Sequence, residues 1–306
     1  MTTQEKLQML EAVSGKTQVE LALELGVSFV AYNRWRNGRA QPRATKGATI
    51  DALLAAHTGH SFTPSNSVWW YEALRAKQHK HQHVLREITR SPDILEQFLL
   101  SLTYNSNRIE GSTLSEADTA AVLFDDVAPR NKTVTEIFEA KNHRVALDFL
   151  LSYLQQGKYV NEALVLRLHE ILMNGIRGDA GQYRMHAVRI VGSYVPTANP
   201  AKVPELMKAC MRDMRQRKGD IVAQLARTHA VFEQIHPFSD GNGRVGRLLM
   251  HAIALSANLP PVFVENRHKR TYLKHLNRAQ LEQDYLPLEQ FLAEALIRSY
   301  RIVERT

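Results

Sequence analysis

The sequence lacks the features of a secreted scaffold or a membrane protein. It has a single cysteine, Cys210, among 306 residues, so no disulfide can form within the chain. No apolar run reaches the roughly 20 residues that span a bilayer, and the first residues contain no apolar signal-peptide core. We therefore expect a protein of the reducing cytoplasm that makes no membrane contact.

Negative charge and aromatic side chains are also scarce. Lys and Arg number 39 against 31 Asp and Glu, which gives a formal net charge of +8, and aromatic residues make up 8% of the chain. The positive charge suits nucleic acid or an acidic protein partner and does not choose between them. Leucine- and alanine-rich helical periods dominate from residue 68 onward, so we predict an all-α fold with a substantial core.

The most distinctive segment is residues 236–247, which read His-Pro-Phe-Ser-Asp-Gly-Asn-Gly-Arg-Val-Gly-Arg between two stretches with apolar residues at helical spacing. Gly241 and Gly243 permit backbone angles closed to other residues, so consecutive N–H groups can converge on an anion. A helix that begins near Arg244 adds the positive end of its dipole. Arg244 and Arg247 project from nearly the same face of its first turn, and two guanidinium groups aimed at one point suit a polyphosphate.

Two further side chains in this loop supply chemistry. Asp240 offers a hard oxygen ligand beside the cradle, which suits a Mg²⁺ ion that bridges phosphate oxygens. His236 stands at the mouth of the loop and exchanges a proton near neutral pH, so it is a candidate general base. The alternative is a basic, glycine-containing helix cap in which His236 is a core histidine. Such a cap needs neither the second arginine nor Asp240 together with His236.

The loop resembles the signature of the Fic family, His-x-Phe-x-Asp/Glu-Gly-Asn-Gly-Arg-x-x-Arg, at every defined position. The resemblance implies a protein adenylyltransferase that moves AMP from ATP, with Mg²⁺, onto a Ser, Thr or Tyr hydroxyl of a protein, itself included. It also implies the roles of the loop residues: His236 as base, Asp240 on the metal, Asn242, the Gly241–Gly243 backbone and Arg244 on the α- and β-phosphates, and Arg247 on the γ-phosphate. The related Doc kinases carry Lys in place of the second loop glycine, so Gly243 favours the AMP-transferring orientation.

A second motif lies far upstream, within a predicted helix near residues 101–111. Ser106-Asn107-Arg108-Ile109-Glu110-Gly111 fits Ser/Thr-x-x-x-Glu-Gly/Asn, which is similar to the inhibitory helix of autoinhibited Fic proteins. The resemblance implies that Ser106, Glu110 and Gly111 form this element and that Glu110 pairs with Arg247, which removes the partner of the γ-phosphate. Alternatively, the segment is a solvated helix end with Gly111 at its C-terminal cap.

Between the two motifs, alternating apolar residues predict a β-hairpin. Val188, Ile190 and Val195 alternate with other residues, and Gly192-Ser193 stands at the turn. In the Fic family a hairpin at this place acts as a flap that aligns the target by strand addition. A purely structural hairpin is the alternative.

After the predicted catalytic helix, residues 266–277 contain a basic, polar stretch. In Fic proteins a Tyr and nearby polar residues of this stretch help to form the adenine pocket, and the resemblance assigns Tyr272 and Asn277 to it. The competing interpretation is a solvated basic helix end with Tyr272 in the core.

The first residues predict a helix-turn-helix. Residues 17–25 have apolar side chains at helical spacing and are followed by Gly26, and Ser28 fits as the N-cap of a second helix that ends at Asn37-Gly38. The segment resembles the phage-repressor-like class, whose ending Trp-x-x-Gly-x-x-x-Pro appears at residues 35–42. Such domains read DNA half-sites in pairs, which is compatible with a homodimer.

A cluster of basic residues without an intervening acid accompanies this second helix and would neutralise DNA phosphates. We predict that the DNA contacts come from Asn33, Arg34, Arg36, Arg39 and Arg43, and which of Asn33 and Arg34 reads a base stays open. The alternative is a small helical module that binds a protein partner or a second copy of the chain. Phe29-Val30-Ala31-Tyr32 is more apolar than the usual start of a recognition helix, which suits burial or a dimer surface.

These features divide the chain into a helix-turn-helix domain at residues 1–58, a polar linker at 59–67 and a Fic-type domain at 68–306. The predicted fold is an all-α, Fic-type helical core with a small β-hairpin flap. The favoured function is an autoinhibited, DNA-associated protein adenylyltransferase. Two alternatives remain: a DNA-binding regulator whose core senses ATP without transfer, and a transferase of another group such as UMP or phosphocholine.

Overall fold

The computed structural model describes residues 2–58, 69–216 and 219–304, and these ranges are helical without a β-strand. This confirms the all-α prediction. None of the described helices is long and apolar enough to cross a membrane. The helices are Thr3–Ser14 (α1), Gln18–Glu24 (α2), Phe29–Arg36 (α3), Ala44–Thr58 (α4), Trp69–Lys80 (α5), Val84–Arg90 (α6), Pro92–Glu110 (α7), Glu116–Phe124 (α8), Val134–Gln155 (α9), Glu162–Met173 (α10), Val203–Gln216 (α11), Ile221–Ile235 (α12), Asn242–Ser256 (α13), Lys269–Glu282 (α14) and Leu286–Val303 (α15), with short 3₁₀ turns at Pro200–Lys202 and Asn266–His268.

The N-terminal module, residues 2–58, contains α1 to α4. Local capping sets the bounds of its second and third helices, which lie where the sequence predicts them. Thr17 and Glu20 form a reciprocal capping box at the start of α2, and the Ser28 hydroxyl accepts a 3.2 Å hydrogen bond from the Ala31 N–H at the start of α3. After α3 the chain turns at Gly38, whose φ of +69° favours glycine.

The N-terminal module packs directly on the rest of the protein. Helix α1 contacts both α5 and α15. The buried Lys77 ammonium on α5 donates to the Val13 carbonyl at 3.0 Å and pairs with Glu304 at 2.7 Å. The apolar cores of the two parts form one continuous cluster. The predicted linker at residues 59–67 lies outside the described residues.

Helices α12 and α13 form the centre of the larger part. They pack against each other, α12 also contacts α11, α14 and α15, and α13 contacts α7, α9 and α10. Phe232 on α12 and Val245 and Leu248 on α13 are fully buried. Because both helices are enclosed by neighbours, the loop between them is held on a rigid base.

The segment predicted as a β-hairpin forms a turn without paired strands. We call residues 186–198 the flap. The Ser193 N–H donates to the Ile190 carbonyl at 3.2 Å, with Gly192 at φ +75° in the turn, as the sequence predicts. The prediction of two paired strands is wrong, because side chains take over the hydrogen bonds: the Thr197 hydroxyl donates to the Val188 carbonyl at 2.7 Å and the Val195 N–H donates to the Ser193 hydroxyl at 3.2 Å.

Candidate active site

Helix α12 ends in His236, which adopts a left-handed conformation with φ +51° and ψ +62°. This conformation is costly for a residue other than glycine, and such strain is concentrated at functional sites. The His236 Nδ1 lies 3.2 Å from the Glu233 carbonyl. Since a carbonyl can only accept, Nδ1 carries the proton and Nε2 keeps its lone pair. Burial lowers the pKa of His236 below 6.5, so the ring is neutral at pH 7.

The loop after His236 is braced by its own asparagine. The Asn242 amide accepts from the Phe238 N–H and donates to the Phe238 carbonyl, both at 2.9 Å. These two bonds close the turn that leads into α13. The side chain of Asn242 is therefore occupied within the loop, and only its backbone N–H is left to face a phosphate.

Asp240 lies at the open edge of the loop, with its side chain about half exposed. Its Oδ1 accepts the Gly241 N–H at 2.6 Å. His169 on α10 supports this turn from below, since its Nδ1 accepts the Gly181 N–H at 2.9 Å and its Nε2 lies 3.2 Å from the Asp240 carbonyl. The His169 ring also stacks on Phe238, with centroids 3.7 Å apart.

The first two turns of α13 carry the two arginines, and the first of these, Arg244, faces two carboxylates. The Arg244 side chain is almost fully buried, and its Nη1 lies 2.7 Å from Glu139 Oε1 on α9. Its Nη2 lies 3.6 Å from Asp240 Oδ1. The start of α13 also offers N–H groups that have no acceptor within the helix. Buried positive charge and free donors thus converge on one point.

The second arginine is held by α7. Arg247 Nη2 lies 2.6 Å from Glu110 Oε1 and 3.1 Å from the Ser106 carbonyl, and Arg247 Nε donates to the Ser106 hydroxyl at 2.9 Å. Burial alone would raise the pKa of Glu110, but the adjacent Arg247, together with Arg244 and Lys269, outweighs burial and holds that pKa below its usual range. The carboxylate is therefore ionised at neutral pH. The structure thus brings together Ser106, Glu110 and Arg247, while Gly111 ends α7 at φ +110°.

Glu110 also occupies the space directly above the loop. A Cβ atom placed on Gly243 would lie 2.2 Å from Glu110 Oε1. The Glu110 carboxylate therefore lies against the backbone of α13's first turn.

A second carboxyl group, Glu233 on α12, is buried on the inner side of this cluster. Glu233 Oε1 has no hydrogen-bond partner among the described residues. Burial raises its pKa to about 8, although the positive charge of Arg247 opposes this shift. Glu233 is therefore protonated at neutral pH, and Glu110 is the ionised partner of Arg247.

Tyr272 and Asn277 both lie on α14 but have different surroundings. Tyr272 is fully buried, and its hydroxyl lies 2.5 Å from His229 Nε2. Asn277 lies on the outer side of α14, where its Oδ1 accepts a 3.1 Å hydrogen bond from the Ser193 hydroxyl of the flap. Asn277 lines a surface groove of about 610 Å³ together with Leu273 and Leu281.

The basic residues of the N-terminal module differ in exposure. Arg34, Arg39 and Arg43 are exposed and form no ion pair within the described parts of the chain. Arg36 is half-buried and pairs with Glu11 at 3.0 Å. The Asn33 amide lies 3.5 Å from the Gln18 side chain, so Arg36 and Asn33 are partly engaged within the module.

Three residues that the sequence reasoning missed also shape the site: His169, Glu139 and Arg184. Glu139 and His169 contact Arg244 and the Asp240 carbonyl, as described above. Arg184, on the segment before the flap, donates to the His236 carbonyl at 2.7 Å. Glu139 and His169 lie in no recognisable motif, and Arg184 ends the segment Asp179-Ala180-Gly181-Gln182-Tyr183-Arg184, which resembles the Fic core but indicates no role for this residue. Their roles depend on groups that are close in space but distant in sequence.

A metal ion at this site would need ligands from both the protein and a bound substrate. Within residues 2–58, 69–216 and 219–304, no cluster of three or more His, Cys, Asp or Glu side chains is arranged to hold a metal. Asp240 contributes one accessible carboxylate beside Arg244 and the N-terminal end of α13. This donor set fits Mg²⁺, which is often held by one or two carboxylates together with substrate phosphates.

Comparison with known proteins gives matches to the region around this site. Residues 159–254 match the sequence model of the Fic/DOC family, so this region is similar to that family. A curated relative, the protein adenylyltransferase Fic of Nematostella vectensis, is 31% identical over 201 residues, which cover 64% of this chain and 46% of the relative. The chain thus spans less than half the length of this relative.

Solved structures support the fold. A Fic domain containing signaling protein from Bacteroides thetaiotaomicron superposes with a TM-score of 0.68 at 23% identity, covering 77% of this chain and 96% of that one. A Fic family protein from Desulfovibrio desulfuricans gives a TM-score of 0.61 at 26% identity, covering 78% of this chain and 74% of that one. The helical core is therefore of the Fic type.

Proposed function

We propose that the protein is an autoinhibited protein adenylyltransferase that transfers AMP from ATP to a Ser, Thr or Tyr hydroxyl of a protein, itself included. The observation that carries the proposal is the Glu110–Arg247 pair at the start of α13, beside the free Nε2 of His236. A polyphosphate site that a carboxylate blocks, next to a neutral histidine, suits a transferase that is inactive until the carboxylate moves away. The name of the curated relatives, protein adenylyltransferase, supports the same reaction.

The proposed chemistry uses His236 as the general base. Its neutral Nε2 takes the proton of the acceptor hydroxyl as the oxygen attacks the α-phosphorus, and the bond from that phosphorus to the pyrophosphate oxygen breaks. The N–H groups of Asn242 and Gly243 and the guanidinium of Arg244 stabilise the charge that develops on the phosphates. Asp240 would hold Mg²⁺, which supplies further neutralisation of that charge. Adenine would lie toward the groove at Asn277, beside the flap.

The proposed inhibition acts through Arg247. When Glu110 holds this guanidinium, the γ-phosphate has no partner and the carboxylate stands where the anion must lie. Breaking a buried charge pair leaves one charge unpaired, which opposes spontaneous release. Binding of ATP in the productive pose therefore requires Glu110 to move away.

The test is self-labelling with ATP that carries its label at the α-phosphate, in the presence of Mg²⁺. We expect weak labelling of the wild type, strong labelling of Glu110→Gly, and none when His236→Ala is added to Glu110→Gly. Equal labelling of the wild type and Glu110→Gly would reject autoinhibition. Labelling that survives His236→Ala would reject His236 as the base. Labelled UTP in the same assay tests transfer of another nucleotide group, and competition by unlabelled ATP identifies the preferred one.

We also propose that the N-terminal module binds DNA through the exposed Arg34, Arg39 and Arg43. Exposed guanidinium groups without internal partners suit phosphate contacts, whereas Arg36 already has Glu11. A DNA-binding regulator that only senses ATP would bind DNA and ATP and label nothing, even as Glu110→Gly. A gel shift in which affinity does not respond to salt, or an absence of binding, would leave the module as a protein-interaction element or a dimer surface.

A further inference from the structure

Arg184 is a buried arginine that has no carboxylate partner. Its side chain is 2% exposed, and it is among the largest fully buried side chains of the described residues. It belongs to none of the ion pairs that the described residues form, and burial alone lowers its pKa. A buried cation without an anion is costly unless its N–H groups are satisfied. The acceptors of these N–H groups therefore indicate what the residue does.

One set of acceptors is the end of α12. Arg184 Nε donates to the His236 carbonyl at 2.7 Å and Nη2 donates to the Ile235 carbonyl at 3.3 Å, while the Arg184 backbone N–H donates to the Pro237 carbonyl at 3.0 Å. The last carbonyls of a helix lack partners within the helix, and a cation there also complements the helix dipole. Arg184 thus caps α12 at the point where His236 adopts its left-handed conformation.

The other acceptors are the two ends of the flap. Arg184 Nη1 donates to the His186 carbonyl at 2.7 Å, and Nη2 donates to the Ala198 carbonyl at 2.5 Å. His186 is the first residue of the flap and Ala198 is the last. A single planar guanidinium therefore joins both ends of the flap to the backbone of the predicted base.

We infer that Arg184 is a positioning residue, which fixes the flap against the backbone of His236 and so sets the distance between a bound acceptor hydroxyl and the base. The inference rests on the proposed transferase function. It adds a link between the segment that aligns the acceptor and the residue that deprotonates it. The ATP-binding groups at the start of α13 do not contact Arg184.

Because Arg184 does not contact the groups at the start of α13, its substitution should change the maximal rate rather than the half-saturating ATP concentration. A lysine keeps the charge but cannot direct several N–H groups along fixed directions toward separate carbonyls. The flap and His236 would then lose their fixed spacing, and a misplacement near 1 Å costs on the order of 10²-fold in rate. The concentration of ATP that half-saturates the enzyme should stay within about twofold, because the phosphate-binding groups are unchanged.

The experiment uses self-labelling of the full chain in the Glu110→Gly background, with α-labelled ATP at varied concentration. Arg184→Lys should lower the maximal rate on the order of 10²-fold without a change in half-saturating ATP, and Arg167→Lys, an exposed arginine paired with Glu170, should behave as the background. Arg184→Ala should regain part of the rate when guanidinium ion is added at concentrations that do not unfold the protein. A rate for Arg184→Lys within threefold of the background, or an equal loss in ATP affinity, would overturn the inference.

The pH dependence provides a readout that a purely structural role would leave unchanged. Burial lowers the pKa of His236 and the positive charge of Arg184 lowers it further, whereas the hydrogen bond to the Glu233 carbonyl, Asp240 and, in the wild type, Glu110 raise it. Arg184→Gln removes that positive charge, so the acid limb of the rate should move to higher pH, while Arg184→Lys should leave the limb in place. A slower Arg184→Gln with an unmoved limb would assign Arg184 to stability alone. No labelling of Glu110→Gly itself would instead reject the transferase function on which the inference depends.

Discussion

Arginines serve opposite purposes in the two parts of this molecule. In the 236–247 loop, Arg244 and Arg247 are buried, and each is matched with a carboxylate, Glu139 or Glu110. In the N-terminal module, three arginines are exposed and form no ion pair with a described residue: Arg34, Arg39 and Arg43. The two buried arginines are paired with carboxylates of the protein itself, whereas the three exposed arginines are available to anions from outside it.

The difference follows from desolvation. A buried guanidinium needs a fixed partner, so its availability to a ligand depends on whether that partner leaves. An exposed guanidinium is hydrated and screened, and its partner can be any phosphate that comes within reach. The first arrangement suits a regulated site and the second suits salt-dependent binding. The expected effects of substitution differ accordingly.

The largest effect should come from Arg247. In the Glu110→Gly background, Arg247→Ala removes the guanidinium that would meet the γ-phosphate, and labelling with α-labelled ATP should fall by 10² to 10³-fold, on the order of the loss seen for a transition-state donor. The matched control is Arg167→Ala, an exposed arginine on α10, which should label like the background. Labelling of Arg247→Ala within threefold of the background would remove Arg247 from the phosphate site.

A smaller effect is expected on DNA binding. The triple variant Arg34→Ala, Arg39→Ala, Arg43→Ala should lower affinity for duplex DNA by roughly 10²-fold at 0.1 M salt and reduce the slope of log affinity against log salt by about 3, since each phosphate contact contributes about 0.9. Gel shifts over a salt series measure both quantities. Arg36→Ala is the control within the same module, because its partner is Glu11, and it should leave the slope unchanged. An equal effect of Arg36→Ala would contradict the division between exposed and paired arginines.

A substitution that removes the charge of Glu110 but keeps its size tests how much charge contributes to the Glu110–Arg247 pair. Glu110→Gln keeps the shape of the side chain but weakens its hold on Arg247, since a charge-assisted hydrogen bond is roughly twice as strong as a neutral one. Self-labelling should rise about tenfold above the wild type, a change equivalent to about 1.4 kcal/mol, and stay below that of Glu110→Gly. Glu116→Gln, on an exposed position of α8, should match the wild type. No rise in Glu110→Gln would mean that bulk, rather than charge, blocks the site.

The smallest effect concerns Glu233, whose Oε1 has no hydrogen-bond partner among the described residues. The folded-state pKa of Glu233, about 8, lies above its ordinary value of 4.5, so its contribution to stability is full below pH 4.5 and is lost as pH rises through about 8. Glu233→Gln does not titrate. The Tm of the variant relative to the wild type should therefore be higher at pH 9 than at pH 5, by roughly 5 °C. Thermal unfolding at both pH values provides the comparison, and a difference that is the same at pH 5 and pH 9 would place Glu233 in contact with solvent.

The sequence predicted those parts of the site that are contiguous in the chain. Residues 236–247 hold the candidate base, the carboxylate, the glycines and the arginines in twelve consecutive positions, so residue types alone predicted a polyphosphate site there. Ser28 likewise predicted the start of α3 correctly. The Glu110–Arg247 pair joins residues 137 positions apart, and only a resemblance to a known family suggested it.

Other contacts left no trace in the sequence, for identifiable physical reasons. Glu139 resembles any polar residue on a half-buried helix face until α9 brings it to Arg244. Arg184 binds main-chain carbonyls, which every residue carries, so no partner type could reveal it. The flap was wrongly predicted as paired strands, because alternation of apolar residues does not show that the hydroxyl groups of Ser193 and Thr197 take over the backbone hydrogen bonds.

The absence of a side chain at Gly243 leaves room for the Glu110 carboxylate. Glu110 Oε1 lies only 2.2 Å from the position that a Cβ atom would take there, so a larger residue at this position would displace the carboxylate. Under the proposed inhibition, residue 243 therefore sets how firmly the pair with Arg247 is held, although it carries no charge and no functional group of its own. A methyl group at this position would act on the same pair as a substitution of Glu110.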